Sequence, residues 1–592
     1  MDAAEELAPA NEARAAAAQA KPLELTPRAL LVGSLIGVIL SVGNGYMGLK
    51  TSFIDGGSIM AALLGFAFFA TFGKGSKKGP YTALENNITQ TVASSAAVMG
   101  YAIGLSGAIP ALDLMVGGHY SGVLLGAWGI AVGVVGIVVG AFLRRKLIVG
   151  ERLPFPTGAA TAEVIETISA SRETAMKRAR FLIASAIVGA VFVWFRDGKP
   201  SLIPQAAMFG GAVLGVSLSS ISVGVSCSPL MFSVGMIIGV RNALSMLVGA
   251  VIAWLGAAPL LVRSGIVAGP TFGACSGWLI WPAVGLLLAS SFVPLVMDWR
   301  ALARSFRDIP SLLRRRADGA DDAEVERARF RAAKPLFLVA VIVMVVLGRV
   351  VFGLPPLIVL LGLLLSLVLA NVCARSAGET DIAPMGTIGT MTQIMFTGNG
   401  AVPSLIAGSI TAGVATPTSQ TLWALKAGDR LRASPRAQLW AQILGAVVGA
   451  VVAVPVYLVM TSAYQIGTES LPAPSALSWK ATAEAVRGGL AAMPPHAPLA
   501  GGIAFVVGAI LCALAPTRAG RFLPSPAAVG LAVMTPFPLS ITAAFGGLVL
   551  YGIKRLRPDT SDATLMATAA GGIAGESIVG VVIAALIATG VL

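Results

Sequence analysis

The chain has 592 residues, of which 56% are apolar and only 12% charged, with a formal net charge of +14 at pH 7. Soluble domains carry about 25% charged residues, so 42 Lys/Arg and 28 Asp/Glu cannot cover the surface that a soluble chain of this length would expose. A cytosolic enzyme, a secreted disulfide scaffold and a disordered chain are excluded, which leaves a polytopic membrane protein. Long apolar runs without strand alternation predict helical spans rather than barrel strands. The 69 Gly and 34 Pro suit close helix packing and broken helices.

Residues 1–27 are Ala-rich and acidic and lack the basic-then-apolar order of a signal peptide, so they read as a disordered cytosolic tail. Spans follow at 28–48, 52–72, 82–109, 120–142, 180–196, 202–226, 229–261 and 276–297, forming a first membrane half at 28–297. Residues 298–334 hold ten Lys/Arg and seven Asp/Glu and read as a charged cytosolic linker. The second half, 335–592, shows spans near 336–353, 356–374, 385–401, 403–424, 437–461, 498–515, 537–552 and 563–590, with an amphipathic helix at 475–490 in the polar loop between 463 and 497. The fold class is therefore all-α, with about 16 transmembrane helices in two homologous halves and re-entrant or broken helices.

Positive charge favours the cytosolic face. With a cytosolic N-terminus, Lys74, Lys77, Lys78, Arg144, Arg145 and Lys146 fall inside. Arg172, Lys177, Arg178 and Arg180 join them only if the Pro/Gly-interrupted segment 153–170 dips in and returns. Irregular backbone at membrane depth is tolerated where it is buried or lines a cavity, which makes this segment a pathway candidate. An internal repeat pairs GLKTS (48–52) with ALKAG (424–428), LPFPTGAATAEV (153–164) with LPSPAAVGLAVM (523–534), and GVRNALSMLVGAVIA (239–253) with GESIVGVVIAALIA (575–588). Repeated halves are a transporter signature; whether they are inverted or parallel stays open at this level.

Ionisable groups in spans are expensive and point to function. Lys50 and Asp55 flank the junction NGYMGLKTSFIDGG (44–57), which also carries Asn44, Tyr46 and Thr51; a snorkelling lysine and a capping aspartate are the bland alternative. Glu163 and Glu166 share one helical face, and an apolar site would suit Glu163 to proton binding and release. Arg241 and Glu576 occupy matching repeat positions, where an arginine could hold a carboxylate. Glu379 and Asp381 precede the span at 385 as ordinary helix-start acids, and Lys426 closes the second LK motif. Pro156, Thr157 and Gly158 open a helix whose N-terminus suits a substrate carboxylate.

Cys227, Cys275, Cys373 and Cys512 are scattered in or beside apolar runs and read as small buried hydrophobes. His119 and His496 are isolated, so no protein-built metal site is expected, and a metal would have to arrive inside a chelate. There is no HExxH and no GxxxxGK[ST], so neither a metalloprotease nor an ATP-driven pump is expected; a channel and another intramembrane enzyme are the competing classes.

The motifs NGYMGLKTS (44–52), LPFPTGAATAEVI (153–165), GMIIGVRNALSMLVGA (235–250), GETDIAPMGTIGTMTQ (378–393), LWALKAGDRLRASPRAQLWAQILGAVVGA (422–450) and GGIAGESIVGVV (571–582) resemble the oligopeptide transporter (OPT) family, which includes yellow-stripe-like metal-chelate carriers, and most resemble its prokaryotic branch. The resemblance implies a secondary transporter without a resident cofactor that moves small oligopeptides with protons as coupling ion, or alternatively metal-chelate complexes of siderophore type. It implies a multi-pass protein of the cytoplasmic (inner) membrane. The expected partners are a small peptide or peptide-like metal chelate and the lipid bilayer, not nucleic acid. A homodimer stays open, since an interface would be as apolar as the lipid face.

Overall fold

The computed structural model describes residues 24–72, 80–117, 120–170, 172–297, 333–488, 493–558 and 560–592. The tail to residue 23, Lys74, Lys77, Lys78, His119 and the linker 298–332 lie outside the described residues. Twelve described helices are long and apolar enough to cross a membrane. Of the expected spans, 52–72 and 385–401 are represented by shorter helices, 202–226 is not helical, and 403–424 lies on a long helix outside these twelve.

Helix α1 (Pro27–Thr51) starts where Pro27 follows an N-cap threonine, Thr26, which accepts from the Ala29 amide. Proline at this position loses only an N–H that would be unpaired anyway. A short helix α2 (Ser58–Phe72) follows. The expected span 82–109 is broken into α3 (Ala83–Ala97), α4 (Met99–Ile103) and α5 (Ala108–Val116), with Gly104 at a φ of 91° between α4 and α5. A capping box joins Thr82 and Glu85 at the start of α3. Its buried face is polar: Ser95 donates to the Gln442 carbonyl at 2.7 Å and Thr91 to that of Asn87 at 2.6 Å. Helix α6 (Gly122–Arg144) runs into a π-helical turn at Arg145–Gly150. Then come α7 (Pro156–Ala170) and α8 (Arg172–Asp197).

The expected span 202–226 is not a helix. It folds as two nested antiparallel ladders: β1 (Ala206–Met208) pairs with β4 (Gly224–Ser226), and β2 (Ala212–Val213) with β3 (Val216–Ser217). Leu214 and Gly215, both at positive φ, supply the turn geometry that a two-residue hairpin loop requires. The run is apolar, but its Gly and Ser content opposes a helix. Next are α9 (Pro229–Ala250), broken at Gly239, with a π-helical turn (Val251–Ala257) leading to α10 (Ala258–Arg263), and α11 (Phe272–Met297).

The second half comprises α12 (Ala333–Phe352), α13 (Pro356–Thr380), α14 (Met385–Met395), α15 (Ala401–Arg430), α16 (Pro435–Ala463), α17 (Pro474–Gly488), α18 (Ala497–Leu514), α19 (Pro526–Met534), α20 (Phe537–Leu556) and α21 (Asp562–Ala588). The expected span 385–401 shrinks to the short α14. The expected amphipathic helix at 475–490 is α17, and it lies inside the protein: Trp479 is buried, and a Cβ on Gly389 or Gly408 would approach its ring to 2.9 Å. Helix α15 is buried through most of its length and packs against α6, where a Cβ on Gly136 would lie 2.4 Å from Pro417.

Charged pairs mark one face of the bundle. Arg28 on α1 meets Glu85 on α3 at 2.6 Å, the Ser434 amide before α16 donates to Glu24, and Arg144 at the end of α6 meets Asp429 at the end of α15 at 3.2 Å. Helix α1 therefore leaves this face and α6 returns to it. Helix α8 ends at the opposite face, where its Arg196 joins the cavity wall that also carries Lys50 of α1. The chain thus leaves α7 on the face where it entered, so the segment 153–170 is re-entrant as charge placement predicted.

Hydrogen bonds reveal the repeat. The Phe155 amide donates to the Gly378 carbonyl at 2.9 Å, and the Ala473 amide donates to the Leu49 carbonyl at 2.9 Å. Two residues on, the Thr157 amide donates to Asp381 at 3.0 Å and the Ser475 amide to Ser52 at 2.8 Å. Phe155 and Ala473 share a φ of 44°, while Asp381 and Ser52 have 66° and 63°. The mate of LPFP (153–156) is therefore LPAP (471–474) and not LPSP (523–526), and the mate of the 48–52 motif is 377–381 and not ALKAG. One junction lies at the face carrying Arg144 and Asp429, the other at the far end of α1, so the repeats are inverted.

Candidate functional site

Two cavities flank the end of α1. The larger, about 360 Å³, is lined by Ser52 and Phe53, by Tyr101 of α4, by Asn242 beyond the Gly239 break, by Gly386 and Thr390 of α14, and by Ser475, Ser478, Trp479 and Ser525. Its polar groups are hydroxyls and an amide, and none of its lining side chains is charged. The first turns of α17 and α19 both open onto it through Ser475, Ser525, Ala527 and Ala528. The Ser475 amide is taken by Ser52 and the Ser525 amide by Ser245, but the helix dipole and the N–H groups that follow in each first turn make such ends attractive to anionic oxygens. The LPSP segment (523–526) thus opens a helix onto this cavity, and the companion of that helix is α17. Arg241 does not meet Glu576. It donates to the Gly520 carbonyl at 2.7 Å and to that of Leu523, tying down the loop that leads into α19.

The smaller cavity, about 280 Å³, brings together the anticipated Lys50, Thr51 and Glu576 with Arg196, Asp197, Tyr464 and Glu469. The partner of Glu576 is Arg196, at 3.1 Å, with side chains 2% and 4% exposed. Glu576 also accepts from the Ser228 hydroxyl at 2.9 Å and the Leu230 amide at 2.7 Å, while Arg196 reaches Asp197 at 2.5 Å and the Cys227 carbonyl at 2.7 Å. Charges taken from water need this kind of full pairing. Lys50 lies over the Tyr46 ring, 4.9 Å from its centroid, and Tyr46 is buried against Gly580. Arg196 is hard to single out from sequence because it ends an apolar run, where an arginine ordinarily snorkels.

The remaining candidates form scaffolding. Asn44 donates to the Asp55 carbonyl at 2.6 Å and accepts from the Asp55 amide at 3.1 Å, so it clamps the turn between α1 and α2. Asp381 does not cap the helix at 385. It caps α7 from the other half, accepting from the Thr157 amide, from the Thr157 hydroxyl at 2.6 Å and from the Trp423 indole at 2.9 Å. Pro156 opens α7, and a Cβ on Gly158 would lie 2.3 Å from the Trp423 carbonyl. Lys426 packs beside Gly158. Glu379 lies 3.4 Å from Arg375, whose guanidinium is gripped by Glu151 at 2.6 Å. Glu163 and Glu166 are exposed, so the expected burial of Glu163 among apolar groups is absent.

The sequence matches the family described as OPT oligopeptide transporter protein over residues 24–587. The chain belongs to the OPT family. It is 25% identical to a provisionally named oligopeptide transporter of Saccharomyces cerevisiae, over 94% of this chain and 95% of that protein. It is 26% identical to a metal-nicotianamine transporter of Arabidopsis thaliana, over 94% and 92%. An iron-phytosiderophore transporter of Oryza sativa is 22% identical over 94% and 90%. This OPT protein is accordingly a multi-pass membrane transporter and not an enzyme.

Proposed function

We infer that this OPT protein is a proton-coupled carrier of peptide-like metal chelates. The observation that carries the reading is the cavity of about 360 Å³, within the range of small-molecule sites, where the first turns of α17 and α19 meet a wall of hydroxyls and an amide. A chelate brings its own metal ligands and turns carboxylate oxygens outward; helix N-termini and hydroxyls suit those oxygens without binding the metal directly. The relatives that carry metal-nicotianamine and iron-phytosiderophore point to the same class of cargo. Small oligopeptides are the second reading, favoured by the family description and by the name of the yeast relative.

The inverted junctions suggest the transport cycle. Phe155–Gly378 with Thr157–Asp381 seals one face and Ala473–Leu49 with Ser475–Ser52 the other, so opening one while the other stays closed exposes the cavity to one side at a time. Its basic residues favour the Arg144 and Arg375 face as the cytosolic one, in a protein that we place in the cytoplasmic (inner) membrane. Glu163 is exposed on the re-entrant α7 and lacks the apolar surroundings that would suit it to proton binding, so it is not assigned the coupling step. The test is uptake into proteoliposomes of labelled iron–nicotianamine and of a labelled tripeptide, with and without an inward proton gradient. Gradient-dependent uptake of the chelate is expected. Uptake of the tripeptide alone would favour the second reading, and gradient-independent flux of both would refute the carrier.

A further inference from the structure

The smaller cavity contains more charge than its internal pairing uses. Arg196, Asp197 and Glu576 close on one another and on neighbouring backbone and hydroxyl groups. Lys50 feels the charges of Glu576 and Asp197 but is bonded to neither, and it rests over the face of Tyr46. Among the described residues its ammonium has no hydrogen bond and no ion pair, although an ammonium offers three donors. Glu469, across the same cavity and exposed at its edge, accepts only from Ser222 of the β-hairpin segment. The two opposite charges line one space without meeting. A half-buried ammonium without an acceptor is costly, and it is relieved by a ligand oxygen.

We propose that this cavity is a subsite for an amino-carboxylate group, with Lys50 receiving the ligand carboxylate and Glu469 the ligand ammonium. The inference rests on the transporter reading and deepens it. Peptide termini and free aminocarboxylate chelators share this chemistry. The apolar wall of Met208, Leu230, Met231 and Leu539 contacts the carbon skeleton between the two charges. Lys50 sits at the end of α1 beside Ser52 of the larger cavity, so a ligand held here lies next to the Ser52–Ser475 junction.

The experiment is equilibrium binding to the purified full-length protein in detergent. The probes are trialanine, its C-terminal amide, its N-acetyl derivative and metal-free nicotianamine. Wild-type protein is expected to bind the zwitterionic forms at least about 10-fold more tightly than the amide or the acetylated peptide, the scale of a lost charge-assisted hydrogen bond. Lys50→Gln should erase the discrimination against the amide, Lys50→Arg should retain it, and Glu469→Gln should erase only the discrimination against the acetylated form. Binding of nicotianamine but not trialanine would assign the subsite to chelators, and the reverse to peptides. Equal wild-type binding of trialanine and both blocked peptides, or binding of no probe, would overturn the proposal without requiring any variant to fold. Uptake of iron–nicotianamine and trialanine by the same purified protein after reconstitution into proteoliposomes separates the two failures: uptake without discrimination in binding sinks the subsite alone, whereas no uptake of either cargo sinks the transporter reading.

Discussion

The junction between Thr157 and Asp381 allows a quantitative test of how the two halves are held together. Asp381 accepts from the Thr157 amide at 3.0 Å and hydroxyl at 2.6 Å and from the Trp423 indole at 2.9 Å. Hydrogen bonds to charged groups contribute about 1.5–3 kcal/mol each, but this carboxylate is only half-buried and water refills part of any loss. Thr157→Val removes the hydroxyl bond alone and should cost about 1.5 kcal/mol. Asp381→Ala removes all three acceptor contacts and should cost about 3 kcal/mol, because solvent reaches the released donors. The double variant should cost less than the sum by about 1–1.5 kcal/mol, the coupling through the shared bond. The assay is a double-mutant cycle on reversible denaturant unfolding in mixed micelles, followed by tryptophan emission. Additivity within about 0.3 kcal/mol would show that the hydroxyl–carboxylate contact does not bind α7 to the other half, and the role of this junction as a seal would fall with it.

Gly158→Ala places a methyl group 2.3 Å from the Trp423 carbonyl and should destabilise by about 1–3 kcal/mol through overpacking; wild-type stability would show that α7 and α15 are not in close contact. Glu576→Gln removes the charge facing Arg196 but leaves Asp197 as its partner, so a loss of about 2 kcal/mol is expected, below the 3–5 kcal/mol of a fully orphaned charge; unfolding midpoints measure this, and an unchanged midpoint would contradict the pairing. Glu163→Gln should leave the pH dependence of proton-driven uptake unaltered, because the carboxylate is exposed rather than held among apolar groups; loss of proton-driven uptake with counterflow exchange retained would place Glu163 in the coupling step.

Several features could be read from the residues. LPFPTG announced a helix start because proline and glycine have defined roles there, and the basic residues after 171 fixed the re-entrant course of α7. Lys50, Thr51 and Glu576 were recognisable because charge and polarity at membrane depth are rare. The error at 202–226 has a physical cause: hydropathy scores an apolar Gly/Ser segment as it scores a span, while the turn at Leu214–Gly215 depends on backbone angles. Arg196 was hidden at the end of its span, and Glu469 in a loop whose neighbours in space come from the first half. Arg241, expected to hold a carboxylate, holds the Gly520 and Leu523 carbonyls instead, because the loop before α19 folds back onto it.

The repeat mates were missed for a deeper reason. LPFP and LPAP share the leucine and both prolines, but LPSP (523–526) shares them equally, so the motif does not choose its mate, and the segments they bind, 49–52 and 378–381, have only a threonine in common. What each junction preserves is backbone geometry: an amide donated to a helix-terminal carbonyl, a positive φ before the proline, and a polar side chain two residues on. Selection on backbone contacts leaves residue identity free except where φ or an acceptor demands otherwise. The partners are also exchanged between halves, since α7 of the first is capped by α13 of the second and α17 of the second is tied to α1 of the first. Neither half can complete its own re-entrant helix, so the charged linker at 298–334 joins two parts that must assemble on each other rather than two separable bodies. The junctions differ in their acceptor: Asp381 provides charge and holds three donors, whereas Ser52 is neutral and holds one. The face carrying Arg144 is thus the more firmly closed, and the face beside the two cavities is the one from which a ligand can enter at lower cost.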